Sequence, residues 1–168
     1  MNIIRDGQVI ELANFKTNAM RILETNKIEY IMHTYESNGD FDGCSVAQKI
    51  GKAPNQVFKT LVTVAPSKKY YVFVIPVMYE LDLKACASSV GEKSVEMIPV
   101  KDINKVTGYI RGGCSPIGMK KQYVTVVDES CKQFDTIVFS AGKIGYQVEI
   151  SPQNLVELVS AKVCRIVR

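Results

Sequence analysis

Gln56-Val57-Phe58-Lys59-Thr60-Leu61-Val62-Thr63-Val64-Ala65, then Pro66-Ser67-Lys68-Lys69, then Tyr70-Tyr71-Val72-Phe73-Val74-Ile75-Pro76-Val77-Met78, is the stretch that decides the fold class. Two runs rich in β-branched and aromatic residues flank four turn-forming ones, which reads as a hairpin. Downstream, Asp82 to Val90 reads as a helix stopped by Gly91, and Asp102 to Val106 as a single helical turn ending near Gly108. Strands follow at 122–128, 135–140 and 146–150. Ser151-Pro152 then opens a helix to about Ser160, with an N-cap followed by proline at the first helical position, and a strand at 162–167 closes the pattern. Upstream, Thr17 and Asn18 are candidate N-caps of a helix to about Asn26. Residues 28–35 form a strand, 38–42 a loop, and Ser45 to Ile50 a short helix ended by Gly51. Hairpin-linked strands outnumber crossover helices, so the class is α+β with a mixed, largely antiparallel sheet. Residues 1–14 carry little pattern, so 1–15 read as an N-terminal extension to one compact domain over 16–168.

Composition narrows the function classes. Of 168 residues 46% are apolar and 23% charged, which excludes a disordered or fibrous chain. The longest apolar run, Tyr70 to Tyr79, is broken by Pro76 and far shorter than a membrane helix requires, and the start lacks a signal-peptide layout. A cytoplasmic protein without membrane association is expected. The net charge of +4 permits a polyanionic partner without demanding one. The five cysteines (Cys44, Cys86, Cys114, Cys131, Cys164) form no CxxC, and His33 is the only histidine, so neither a zinc site nor a disulfide framework is expected. The absence of GxGxxG and GxxxxGK[ST] argues against a dinucleotide or P-loop fold, and no cofactor is called for.

Three places could carry chemistry. Lys59 sits among apolar strand neighbours, sharing a face with Val57 and Leu61 while Phe58, Thr60 and Val62 share the other. Such a lysine snorkels to water, guards a sheet edge, or points into an anion site. Gly112-Gly113-Cys114-Ser115-Pro116-Ile117-Gly118 is a loop whose backbone can approach a ligand and aim N–H groups at it, although tight turns use the same residues. Ser140-Ala141-Gly142-Lys143-Ile144-Gly145 joins two strands and is equally readable as a hairpin loop. Cys114 or Cys44 with His33 as base is a weak nucleophilic pair, since no third orienting group can be identified.

In order along the chain, Lys16-Thr17-Asn18-Ala19, Val57-Phe58-Lys59-Thr60-Leu61-Val62, Leu81-Asp82-Leu83-Lys84, Thr107-Gly108-Tyr109-Ile110, Gly112 through Lys121, and Ser140-Ala141-Gly142-Lys143 resemble the YbaK/EbsC family of the prolyl-tRNA-editing superfamily. The resemblance spans about residues 16–167. It implies a compact α+β domain with a barrel-like sheet that deacylates Cys-tRNA(Pro), acting in trans with prolyl-tRNA synthetase as partner. In that family reading, Lys59 meets the phosphate or ribose of the terminal adenosine, and Gly112, with Gly113 and Ser115, supplies amides near the aminoacyl carbonyl. Tyr30, Thr60 and Ser140 correspond to other substrate-binding positions. Gln147 stands where many members carry an aspartate, which alters the handling of the amino group. The implied attacking group is the substrate's own thiol. The alternatives are a non-catalytic module that binds aminoacyl-tRNA or a synthetase, and a deacylase of another small aminoacyl-tRNA.

Overall fold

The computed structural model describes residues 15–39 and 42–168 in full, together with the backbone of residues 2–5 and 8–11. In chain order the elements are β1 (Asn2–Arg5), β2 (Gln8–Glu11), α1 (Asn18–Thr25), β3 (Ile31–Thr34), α2 (Gly43–Ile50), β4 (Phe58–Val64), β5 (Tyr70–Pro76) and α3 (Leu83–Ser89). They continue with β6 (Glu96–Met97), α4 (Ile103–Thr107), β7 (Val124–Asp128), β8 (Ile137–Lys143), β9 (Tyr146–Ile150), α5 (Pro152–Val159) and β10 (Lys162–Cys164). Short 3-10 turns occupy Val100–Asp102 and Glu129–Gln133.

Local chemistry accounts for the helix ends. Thr17 caps α1 by accepting from the Met20 amide, Asp82 caps α3 through the Ala85 amide, and Ser151 caps α5 through the Asn154 amide at 3.1 Å, with proline in its first turn. α2 begins two residues before the expected Ser45 because Asp42 accepts from the Cys44 amide. α1 buries Ala19, Met20 and Leu23 completely.

β4 and β5 pair antiparallel from Phe58↔Pro76 to Val64↔Tyr70, as the quoted stretch implies. They sit inside a five-stranded sheet in the order β10-β7-β5-β4-β6, in which β5–β7 and β7–β10 are parallel. β5 is buried from Tyr71 to Val77 because both faces of this sheet are covered. Phe58, Val62, Val72 and Val74 enter the main core with α1 and Leu155 of α5, while Phe73, Ile75 and Val126 pack with Cys86 and Ala87 of α3.

β3, β9 and β8 form a separate three-stranded antiparallel sheet. Met32, Val148, Ile150, Ile137 and Phe139 turn one face to the main core. By strand alternation and register, His33, Gln147, Glu149, Val138 and Ser140 occupy the other. The expected barrel-like sheet is met only in part. Among the described residues the backbones of the two sheets are joined at one isolated parallel bridge, Val57↔Val138, backed by the Val138 amide donating to the Gln56 carbonyl at 3.0 Å, and the strands do not close into a barrel. Residues 2–5 and 8–11 pair as a hairpin, two strands that the weak pattern of this region did not suggest. The expected loop 38–42 lies partly outside the described residues.

Candidate functional site

Just past the Val57–Val138 bridge β4 and β8 stop pairing, and a cavity of about 390 Å³ opens where they part. Phe58, Lys59, Thr60 and Leu61 of β4, Ser140 of β8 and Gln147 of β9 line it on the sheet side. Met97 and Ile98, Val100 and Ile103 form an apolar wall. Arg111, Gly112 and Cys114 come from the loop after α4, and Gly43 and Val46 of α2 close the remaining side. Lys59 and Thr60 point to opposite faces of β4 by alternation, yet both reach the opening because it lies where the two sheets separate.

Lys59 is half-buried and its side chain makes no hydrogen bond or ion pair with a described residue. Thr60 is a lining residue whose Oγ1 is buried and unpartnered among the described residues. Two cations, Lys59 and Arg111, line the cavity, and no carboxylate does among the described residues. This charge pattern suits an anion.

The glycine loop is set by its own contacts. Gly112 has φ +85° and the Gly113 amide donates to the Ile110 carbonyl at 2.9 Å, so the Gly113 N–H is consumed in a turn. Gly113 packs so closely that a Cβ there would lie 3.2 Å from the Ile144 nitrogen. Ser115 is fully buried and its Oγ accepts from the Ile117 amide at 3.3 Å. The amides of Gly112 and Cys114 have no partner among the described residues and belong to the residues lining the cavity. Tyr109 ties this loop to the β8–β9 turn. Its hydroxyl donates to the Ile117 carbonyl, and its ring occupies the space a Cβ on Gly142 would need, 2.8 Å from Cε1. Ser140 Oγ in turn accepts from the Gly142 amide at 3.1 Å.

Of the positions singled out in the sequence, Lys59, Thr60, Gly112, Ser140 and Gln147 therefore line one cavity, whereas Tyr30, Gly113 and Ser115 are not among its lining residues. Tyr30 lies against the main core near Glu24, and burial, with that carboxylate, pushes its hydroxyl up to about 12. Arg111 and the apolar wall were not anticipated. Arg111 directly precedes Gly112, so adjacency to the loop was the available signal.

No Cys–His pair forms. His33 Nε2 lies 2.7 Å from Glu149 Oε1, and Lys52 Nζ lies 3.2 Å from the same oxygen. The hydrogen bond with His33 leads the effects that hold the Glu149 carboxyl down at about 2, with Thr136 and Lys52 assisting against burial. Burial pushes the Cys114 thiol up to about 11, so it is protonated at neutral pH and poorly suited to attack.

The chain was compared with known proteins. The model of the aminoacyl-tRNA editing domain matches residues 44–158. An Enterococcus faecalis protein named as a presumed Cys-tRNA(Pro)/Cys-tRNA(Cys) deacylase, EbsC, is 45% identical over 152 residues, covering 90% of this chain and 93% of that one. The uncharacterised YwhH of Bacillus subtilis is 25% identical over 117 residues, covering 70% and 74%. Among solved structures, a hypothetical protein superposes with a TM-score of 0.81 at 21% identity, covering 88% of this chain and 97% of the other. A presumed trans-editing enzyme for prolyl-tRNA synthetase gives 0.77 at 20% identity, covering 92% and 99%. Both structural likenesses speak to the fold.

Proposed function

The chain belongs to the aminoacyl-tRNA editing domain family, and from that premise we propose that it is a deacylase that clears cysteine from mischarged tRNA(Pro). The observation that carries this reading is the convergence of Lys59, Gly112 and Ser140 on a cavity lined by two cations and no carboxylate among the described residues. An aminoacyl ester is already activated, so a site that positions it and stabilises an oxyanion suffices. Lys59 grips the phosphate or ribose of the terminal adenosine, and Thr60, Ser140 and Gln147 border the aminoacyl group. The Gly112 amide donates to the carbonyl oxygen as negative charge develops there. With Gly113 and Ser115 set behind the loop, their part is to hold Gly112 in place.

The attacking atom is the substrate's sulfur. Its bond to the carbonyl carbon forms a cyclic thioester, the ester C–O bond breaks, and the released ribose oxygen takes up the proton that the thiol loses. Water then opens the thioester. With Cys114 protonated and His33 held by Glu149, the Cys114–His33 pair does not compete as nucleophile and base. The domain acts over residues 16–168 in the cytoplasm, with prolyl-tRNA synthetase as the partner that delivers the mischarged tRNA. The modest +4 charge gives little electrostatic grip on tRNA by itself.

Single-turnover deacylation of Cys-tRNA(Pro), Ser-tRNA(Pro) and Pro-tRNA(Pro) tests the proposal. Cysteine is expected to be released fastest. A pocket alone rejects a near-isostere by about a hundredfold, so serine, with its weaker nucleophile, is expected to fall behind by more than that. Equal rates on cysteine and serine refute attack by the thiol, and no release from any of the three refutes the deacylase.

A further inference from the structure

The cavity, at about 390 Å³, is at the small end of the range of about 300–1,000 Å³ typical of ligand sites. On the reading above it accommodates one aminoacylated nucleoside, and the rest of a single-stranded acceptor end has to leave across its mouth. The residues at that mouth are distinctive. Arg111 is exposed yet lines the cavity, and it comes from the loop after α4, whereas Lys59 is half-buried on β4. Met97 and Val100, also lining, are 46% and 56% exposed, large apolar surfaces left open to solvent. Asp42, Glu96 and Asp102 adjoin lining residues in sequence but do not line the cavity themselves.

Two cations of different placement call for an anion with more than one charged centre. An RNA strand supplies this through successive backbone phosphates. We propose that Arg111 is a second phosphate-binding residue, which holds the backbone phosphate one nucleotide upstream of the terminal adenosine while Lys59 serves the terminal one. The planar guanidinium matches a phosphate with paired N–H donors, which an ammonium cannot do. It carries enough donors to keep a protein neighbour and still take a phosphate. Met97 and Val100 then give the upstream base an apolar ledge instead of water. This assignment rests on the deacylase reading and adds to it a site for the acceptor strand outside the cavity.

The probe is a short single-stranded RNA ending in CCA, with cysteine joined to its terminal ribose by an amide that cannot be hydrolysed. The control probe is the same amide on adenosine alone. Binding of each is measured for the wild type, Arg111→Lys and Arg111→Gln over a salt series, with circular dichroism to verify folding. A charge-assisted contact is worth about ten- to a hundredfold in affinity, and each phosphate neutralised on a single strand adds about 0.7 to the salt slope. Arg111→Gln is expected to lower the ratio of RNA to adenosine affinity by about tenfold or more and to flatten the slope by about 0.7. Arg111→Lys is expected to keep the slope while binding more weakly. A folded Arg111→Gln with the wild-type ratio and slope overturns the assignment, as does a wild type that binds the RNA no better than the adenosine. Either result leaves the deacylase reading standing, because that reading fails only if the wild type releases no amino acid from tRNA.

Discussion

Replacing Glu149 by glutamine probes the polar cluster on the sheet face that also carries Ser140 and Gln147. The carboxylate is only 5% exposed, and it takes contacts from His33 on β3, Lys52 after α2, and Thr136 before β8. It thus ties three separate segments to β9. Its pKa falls from an ordinary 4.5 to about 2 in the folded protein. Ionisation of this one group therefore stabilises the fold by on the order of 3 kcal/mol at neutral pH. Because the folded value is the lower one, the stabilisation is complete above pH 4.5 and disappears as pH falls through about 2. Glutamine keeps the shape but not the charge, and it leaves Lys52 and His33 facing a neutral amide. The expected result is a loss of about 2–3 kcal/mol at pH 7, or a melting temperature lower by very roughly 4–12 °C for a chain of this size. The difference between variant and wild type is expected to shrink steadily as pH is lowered from 4.5 toward 2. Urea unfolding at a series of pH values reads both quantities. A variant within about 0.5 kcal/mol of wild type at pH 7, or a gap that does not close in acid, refutes this account of the cluster.

Lys59→Ala is expected to fold normally and to lower deacylation of Cys-tRNA(Pro) by about ten- to a hundredfold, since it removes an anion contact from the cavity; unchanged single-turnover rates would return Lys59 to a surface role. Gly142→Ala places a methyl group at φ +93° and 2.8 Å from the Tyr109 ring. It is expected to cost about 1–3 kcal/mol in urea unfolding and to reduce deacylation by disturbing the Tyr109 link to the Gly112 loop, and a variant with wild-type stability contradicts the packing described.

Much of the local architecture is legible along the chain because it depends on neighbours a few residues apart. The β4–β5 hairpin follows from two apolar runs around Pro66-Ser67-Lys68-Lys69, and the caps at Thr17 and Ser151 follow from a side-chain oxygen next to a helix start. The β1–β2 hairpin had a comparable signal, Asp6-Gly7 between Ile3-Ile4 and Val9-Ile10. It was obscured because four-residue strands give alternation too few positions to register. The ordered motifs around Lys59 and Gly112 pointed to the family, and the family model and the Enterococcus relative agree. Tertiary structure alone decided which of those residues meet. Alternation assigns Lys59 and Thr60 to opposite faces and is silent about where β4 parts from β8, so it could not show both lining one cavity. Nor could it show that the sheets stay open, that Gly113 spends its amide on Ile110, or that Arg111 reaches the mouth. His33 and Glu149 are 116 positions apart and become partners only because β3 and β9 pair in one register. A side chain's face is set by its own backbone, whereas its partner is set by how distant segments pack.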